Sequence, residues 1–326
     1  MKVIILTEGT RTTGYGHLTR CQSIYQAFEE KGIIPVYIAN CDERGKEILG
    51  GINVVCFNWL IEQEKLREIV TRADVLIIDS YLASKDIYSD LTARVEKAAY
   101  IDDYQRIEYP KGIIINGTID AENLFYGKAL RNELLLGVKY IPIRKEFWKV
   151  HKKKINTTVQ EVLITFGGHD QREISFSVLD ILLHEFKEMK YNVVLGGRKF
   201  LDAMKKYSNE KNIEYFHSLT AQSMLDLMLK CDIALSAAGQ TLYELARVGV
   251  PTVAIGVVQN QRNNIVGWLK NNFVLDMLWS DDSDLNEKIV SSFMRTAEKG
   301  HREMIIHSMP LIVDGKGALR IAEFLL

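Results

Sequence analysis

Three glycine-bearing segments of this sequence lie where a short apolar run gives way to a helical pattern, and each could present backbone N–H groups to an anion. The first is Gly14-Tyr15-Gly16-His17-Leu18-Thr19-Arg20. Gly14 and Gly16 let the backbone approach a ligand closely, and His17 opens the next helix, whose positive end favours the neutral, proton-accepting imidazole. That is the chemistry of a general base, although a histidine that caps the helix or packs on the loop would show the same spacing. A dinucleotide fingerprint would need a third glycine where Thr19 stands.

The second segment, Thr165-Phe166-Gly167-Gly168-His169-Asp170, follows a strand pattern. Gly167 and Gly168 form an ordinary turn or a backbone cradle for a ligand; His169 and Asp170 are weaker candidates. The third runs from Ser236 through Ala237, Ala238, Gly239, Gln240, Thr241, Leu242 and Tyr243 to Glu244. Small residues there clear space for phosphates above a helix N-terminus, and Glu244 could accept hydrogen bonds from a pair of sugar hydroxyls. Alternatively, this is a plain capped helix with Glu244 paired to Arg247. Asn260 and Gln261, in the polar cluster 259–264, suit hydroxyl, acetamido or phosphate groups, or simply cap the next helix. Asp79 with Tyr81 ends a strand, as does the pair Asp102-Asp103, which reads as one buried partner to a loop and one exposed residue. No Walker loop, Cys/His zinc pattern or G-x-S-x-G elbow occurs.

The elements that must position these residues alternate in type. Strands are expected at residues 2–6, 33–39, 75–79, 98–101 and 113–115, then at 162–166, 193–195, 232–236 and 252–256. Helical spacing links Leu18, Cys21, Ile24, Tyr25 and Phe28, with Gly32 as the stop, and further helices are expected at 174–186, 224–229, 241–247 and 318–325. This order predicts parallel sheets covered on both faces. A chain of 326 residues exceeds the usual size of a single core, which predicts two doubly wound domains facing each other across a cleft, at 1–150 and 157–326. The polar stretch Lys149-Val150-His151-Lys152-Lys153-Lys154 reads as a solvated linker.

With 41 Lys and Arg against 42 Asp and Glu, the chain lacks the bulk charge of a nucleic-acid binder. Its longest apolar runs fall well short of the roughly 20 residues that span a bilayer, and Glu8 and Arg11 interrupt any signal-peptide core. Four scattered cysteines fit a reducing compartment, so a cytoplasmic protein without membrane insertion is expected.

Read in order, the motifs resemble those of the UDP-2,4-diacetamido-2,4,6-trideoxy-β-L-altropyranose hydrolases of pseudaminic acid biosynthesis and their spore-coat polysaccharide relatives. The resemblance covers most of the chain. It rests on Gly14 to His17 with Arg20-Cys21, Ile78 to Tyr81, Ile101-Asp102-Asp103, Leu136-Gly137 with Tyr140, Arg144 to Phe147, Phe166-Gly167-Gly168, Ala238-Gly239 with Thr241 and Glu244, and Asn260-Gln261. That family is similar in fold to two-domain GT-B glycosyltransferases, especially the N-acetylglucosaminyltransferase of the peptidoglycan lipid intermediate. The resemblance implies a UDP-sugar substrate whose cleavage needs no redox cofactor and no metal, since a helix dipole and amide donors can serve the diphosphate. Gly167, Gly168, Ala238, Gly239, Gln240 and Thr241 would hold the UDP, with Glu244 on the ribose. Gly14, Gly16, Tyr81, Asn260 and Gln261 would line the sugar, and His17 would activate water against the anomeric carbon. After Gly168 the chain has His169-Asp170, where many relatives carry Ser or Thr before Asp, which leaves the sugar open. Transfer of the sugar to an acceptor and non-catalytic UDP-sugar binding are the alternatives.

Overall fold

A computed structural model describes every residue except 125, 127–131, 168–172 and 197–198. The chain divides into two compact units, Met1–Lys145 with Gly315–Leu326, and Glu146–Asp314.

In the first unit the strands are β1 (Val3–Gly9), β2 (Val36–Cys41), β3 (Val54–Cys56), β4 (Val75–Asp79), β5 (Lys97–Ile101), β6 (Ile113–Asn116) and β7 (Glu133–Leu136). Between them run α1 (Gly16–Glu29), α2 (Glu43–Ile48), α3 (Gln63–Val70) and α4 (Lys85–Thr92). All strand pairs are parallel, in the order β3-β2-β1-β4-β5-β6-β7. The strand order reverses between β1 and β4, and in such sheets ligands bind beyond the carboxyl ends of the strands at that point. Both faces of the sheet are covered, so β1 is buried at all seven positions and reads as a continuous apolar run until Thr7-Glu8. Strand β2 starts at Val36 rather than at residue 33 because Pro35, lacking an N–H, cannot join a ladder.

In the second unit the strands are β8 (Glu161–Thr165), β9 (Lys190–Leu195), β10 (Ile213–His217), β11 (Ile233–Ala237), β12 (Thr252–Gly256) and β13 (Leu278–Trp279). The helices are α5 (Ile174–Glu185), α6 (Lys199–Lys206), α7 (Ala221–Lys230), α8 (Thr241–Val248), α9 (Arg262–Lys270), α10 (Leu285–Ala297) and α11 (Lys299–Ile312). The sheet is again parallel, ordered β10-β9-β8-β11-β12-β13, with its reversal between β8 and β11. Val162, Ile164, Val178, Leu182, Val193, Leu235, Ile255 and Phe293 form its core.

Two further features differ from the sequence reading. The last helix, α12 (Gly317–Leu325), belongs to the first unit although the sequence partition gave all of 157–326 to the second. It buries Ala318, Ile321, Ala322 and Leu325, and it is tied by hydrogen bonds from Arg320 to the Lys139 carbonyl and from Lys97 to the Leu325 carbonyl. Within the basic run, Lys153 is buried rather than solvated: its ammonium donates to the carbonyls of Met228 at 3.1 Å and Leu229 at 2.5 Å, at the end of α7.

Candidate functional site

At the β1 and β4 ends of the first unit, the loop from Thr10 to Tyr15 is pinched by a 2.9 Å hydrogen bond from the Gly14 N–H to the Thr10 carbonyl. Gly14 has φ +81°, a left-handed conformation that favours glycine. The turn delivers α1 so close to β1 that a side chain at Gly9 would meet Leu18 Cγ at 2.3 Å. His17, in the first turn of α1, is thereby directed across the reversal point to Asp79 at the end of β4.

The contact is polar and buried. His17 Nδ1 lies 2.7 Å from Asp79 Oδ1, and both residues are buried. Arg20, three residues on and hence on the same face of α1, donates through Nε and Nη2 to the two Asp79 oxygens, both at 2.6 Å. Its Nη1 takes both oxygens of Asp103 at 2.8 Å, and its Nη2 also sits 3.0 Å from His17 Nδ1. Burial alone would raise the Asp79 carboxyl, but Arg20 and His17 outweigh it and hold it below the usual carboxylate range. Burial likewise works against the Arg20 charge, yet Asp103 and Asp79 stabilise the cation strongly. An ionised Asp79 can only accept. The proton on His17 is therefore assigned to Nδ1, leaving the Nε2 lone pair free to take a proton.

Tyr81 completes this side. Its ring meets His17 edge to face at 4.2 Å between centroids, and its hydroxyl donates to Asp103. Burial and the neighbouring Asp103 push the phenol well above its usual range, so it stays a donor. Asp102 is the buried partner to a loop: it accepts from the N–H groups of Gln105 and Arg106 and from the hydroxyls of Tyr109 and Tyr126. Asp103 is not the freely exposed residue expected, because Arg20 and Tyr81 hold it.

In the second unit the junctions after β8, β11 and β12 lie together at the carboxyl ends of neighbouring parallel strands. Thr165 pairs with Ser236 and Ala237 with Ile255, so the segments that follow start side by side. Gly167 is exposed with φ +82°. Gly168, with His169 and Asp170, lies outside the described residues. The turn Ala238-Gly239-Gln240 leads into α8, whose first residue is Thr241. Its shape is held by Asn264, which donates to the Ala238 carbonyl at 3.2 Å and accepts from the Tyr243 hydroxyl at 2.6 Å. Gln261 braces the next junction by accepting from the Val257 N–H at 2.8 Å, and its Nε2 would lie 3.6 Å from a side chain at Gly239. Asn260 beside it is exposed. Glu244 is buried, and Arg247 is occupied with the carbonyls of Phe147, Trp148 and Pro310, so the surface pair between them is not what the fold builds.

The structure thus gathers His17 and Tyr81 with Gly14 and Gly16 in the first unit, and Gly167, Ala238, Gly239, Gln240, Thr241, Glu244, Asn260 and Gln261 in the segments that follow β8, β11 and β12 in the second. Sequence reasoning missed the roles of Asp79, Arg20 and Asp103 around His17, and of Tyr243 and Asn264 behind the turn. The signal for Arg20 was its three-residue spacing from His17. Asp79 and Asp103 stand out in the sequence only as carboxylates at strand ends; their pairing with Arg20 spans 59 and 83 residues of chain. Among the described residues no three His, Cys, Asp or Glu side chains are grouped to hold a metal ion, and no helix is long and apolar enough to cross a membrane.

No family model matches the chain. It is 29% identical over 265 residues to the pseudaminic acid cytidylyltransferase and UDP-2,4-diacetamido-2,4,6-trideoxy-β-L-altropyranose hydrolase of Helicobacter pylori, covering 80% of this chain but only 45%, about half, of that protein. It is 23% identical to the spore coat polysaccharide biosynthesis protein SpsG of Bacillus subtilis over all of this chain and 98% of that one. Among solved structures, the spinosyn rhamnosyltransferase SpnG complexed with thymidine diphosphate superimposes with a TM-score of 0.64 at 12% identity, over 99% of this chain and all of that one. The fold is therefore GT-B-like, built from two Rossmann-like α/β domains.

Proposed function

We propose that this chain breaks the bond between the sugar and the diphosphate of a UDP-linked sugar, with His17 as the general base. The observation that carries this reading is the His17–Asp79–Arg20 arrangement, which fixes the imidazole and leaves Nε2 as a proton acceptor beyond the ends of β1 and β4. A hydroxyl oxygen bonds to the anomeric carbon and its proton passes to Nε2; the anomeric C–O bond breaks and its electron pair leaves with UDP. In the second unit, Gly167, Gly168 and the Ala238-Gly239-Gln240-Thr241 turn hold the diphosphate by backbone N–H groups, and Glu244 takes the ribose hydroxyls. Tyr81, Gly14 and Gly16 line the sugar in the first unit.

Two nucleophiles fit the same base. Transfer to an acceptor hydroxyl is supported by the rhamnosyltransferase named among the fold's solved structures. Hydrolysis, with water as the nucleophile, is supported by the Helicobacter relative, whose name includes a UDP-sugar hydrolase. The test is incubation of the purified protein with UDP-2,4-diacetamido-trideoxyhexoses and UDP-N-acetylhexosamines, with and without sugar acceptors, measuring UDP and free sugar. UDP release that depends on an acceptor assigns transfer, and release without one assigns hydrolysis. Heavy-oxygen water should then label the sugar; label in UDP would mean attack at phosphorus. Absence of UDP release from every donor and acceptor overturns the enzymatic reading. His17→Ala should abolish turnover while UDP binding, followed by calorimetry, persists; Glu244→Ala should weaken that binding.

A further inference from the structure

We propose that Glu8 is a positioning residue of the His17 site: its carboxyl fixes the backbone at Tyr81, and thereby sets the Tyr81 ring against His17 and the Tyr81 hydroxyl on Asp103. Glu8 is the penultimate residue of β1 and is fully buried. Strands β1 and β4 are paired with Thr7 opposite Asp79, so Glu8 comes level with Ser80 and reaches the turn that follows. There its Oε1 accepts from the Tyr81 N–H at 2.7 Å and the Leu82 N–H at 3.1 Å. The same turn is tightened by Ser80, whose hydroxyl oxygen accepts from the N–H groups of Leu82 and Ala83.

What the turn delivers is Tyr81. From it two paths return to His17: the direct ring contact at 4.2 Å, and the chain from its hydroxyl through Asp103, Arg20 and Asp79. A shift of the Tyr81 backbone would move both. The other carboxyl oxygen of Glu8, Oε2, is buried without a hydrogen-bond partner. Burial raises the Glu8 pKa, which Ser80, His17 and the two N–H groups partly counter. A buried acid left with one unsatisfied oxygen is costly, and packing alone would be served better by an apolar side chain. The role left for it is that of an acceptor of this reach. No part of Glu8 is open to substrate, which separates positioning from catalysis.

The activity arm of the test rests on the proposed function; a spectroscopic arm does not. Glu8→Gln keeps an acceptor oxygen at the same reach, whereas Glu8→Asp keeps the charge but withdraws the oxygen by one methylene. If Glu8 positions Tyr81, Glu8→Asp lowers kcat on the UDP-sugar by about a hundredfold with KM nearly unchanged, and Glu8→Gln stays within about threefold of wild type. In parallel, the carbon-bound imidazole proton signals of His17, displaced by the Tyr81 ring, move in Glu8→Asp toward their positions in Tyr81→Ala and stay at wild-type positions in Glu8→Gln. The reverse order, with Asp intact and Gln impaired, overturns the proposal in favour of a charge effect. Wild-type His17 signals in both variants also overturn it. If the wild-type protein turns over no donor, the proposed function fails and the His17 signals alone decide the role of Glu8.

Discussion

Asp79 is a buried anion whose charge is balanced by the fork of Arg20 and which also accepts hydrogen bonds from His17 and from the thiol of Cys21 at 3.4 Å. Removing one partner of such a group leaves an uncompensated buried charge, so Arg20→Met should destabilise the protein by about 3–5 kcal/mol in urea titrations. Arg20→Lys should recover only part of that, because an ammonium cannot engage Asp79 and Asp103 through separate planar N–H pairs. Asp79→Asn retains the shape but no longer holds the proton on Nδ1; kcat should fall by about 10²- to 10⁴-fold with UDP affinity unchanged. The pH response has a definite sign. The folded-state pKa of Asp79 is depressed, so its contribution is complete above the unfolded value near pH 4 and is lost as pH falls further. Asp79→Asn should therefore flatten the acid limb of the stability curve, and an unchanged limb would refute the assignment. His17 could be picked from its glycine-flanked place at a helix start, whereas its partner lies 62 residues away and becomes visible only once β1 and β4 are neighbours.

At the scale of elements, the parallel strands were legible because burial on both faces writes them as unbroken runs such as Val3 to Leu6 and Val75 to Ile78. The elements missed lack that mark. Strand β13 has two residues, β7 begins with exposed Glu133 and Leu134, and α3 buries only Leu66 and Val70 along a polar surface. The basic run was misread for a related reason: composition marks a lysine as solvated, while its burial depends on the distant end of α7. Burial lowers the Lys153 pKa to about 8, against about 10.4 for an unfolded lysine. Between those values the unfolded chain binds more protons than the folded one, so this residue makes stability rise with pH, by at most about 1.4 kcal/mol per unit. Urea titrations at pH 7.5, 9 and 10.5 should show that rise in the wild type relative to Lys153→Met. Parallel curves for the two proteins would mean that Lys153 titrates normally.

For the whole molecule, the sequence halves and the folded units are not the same objects. Chain order assigns the last residues to the second half, but α12 contributes Ile321 and Leu325, both fully buried, to the first unit. The division follows from side-chain burial and from the Arg320 and Lys97 hydrogen bonds, none of which a linear reading contains. Truncation after Asp314 should therefore weaken the unit that carries His17, although the cut is made beside the unit that ends with α11. Loss of two large buried side chains costs about 3–6 kcal/mol, before any collapse of the exposed site is counted. Amide exchange in α1 and β5 should accelerate in the truncated protein, while exchange in β8, β11 and β12 stays at its full-length rate. On the proposed function, turnover should then fall while UDP binding is retained. Faster exchange confined to α10 and α11 would return α12 to the second unit and undo this division of the chain.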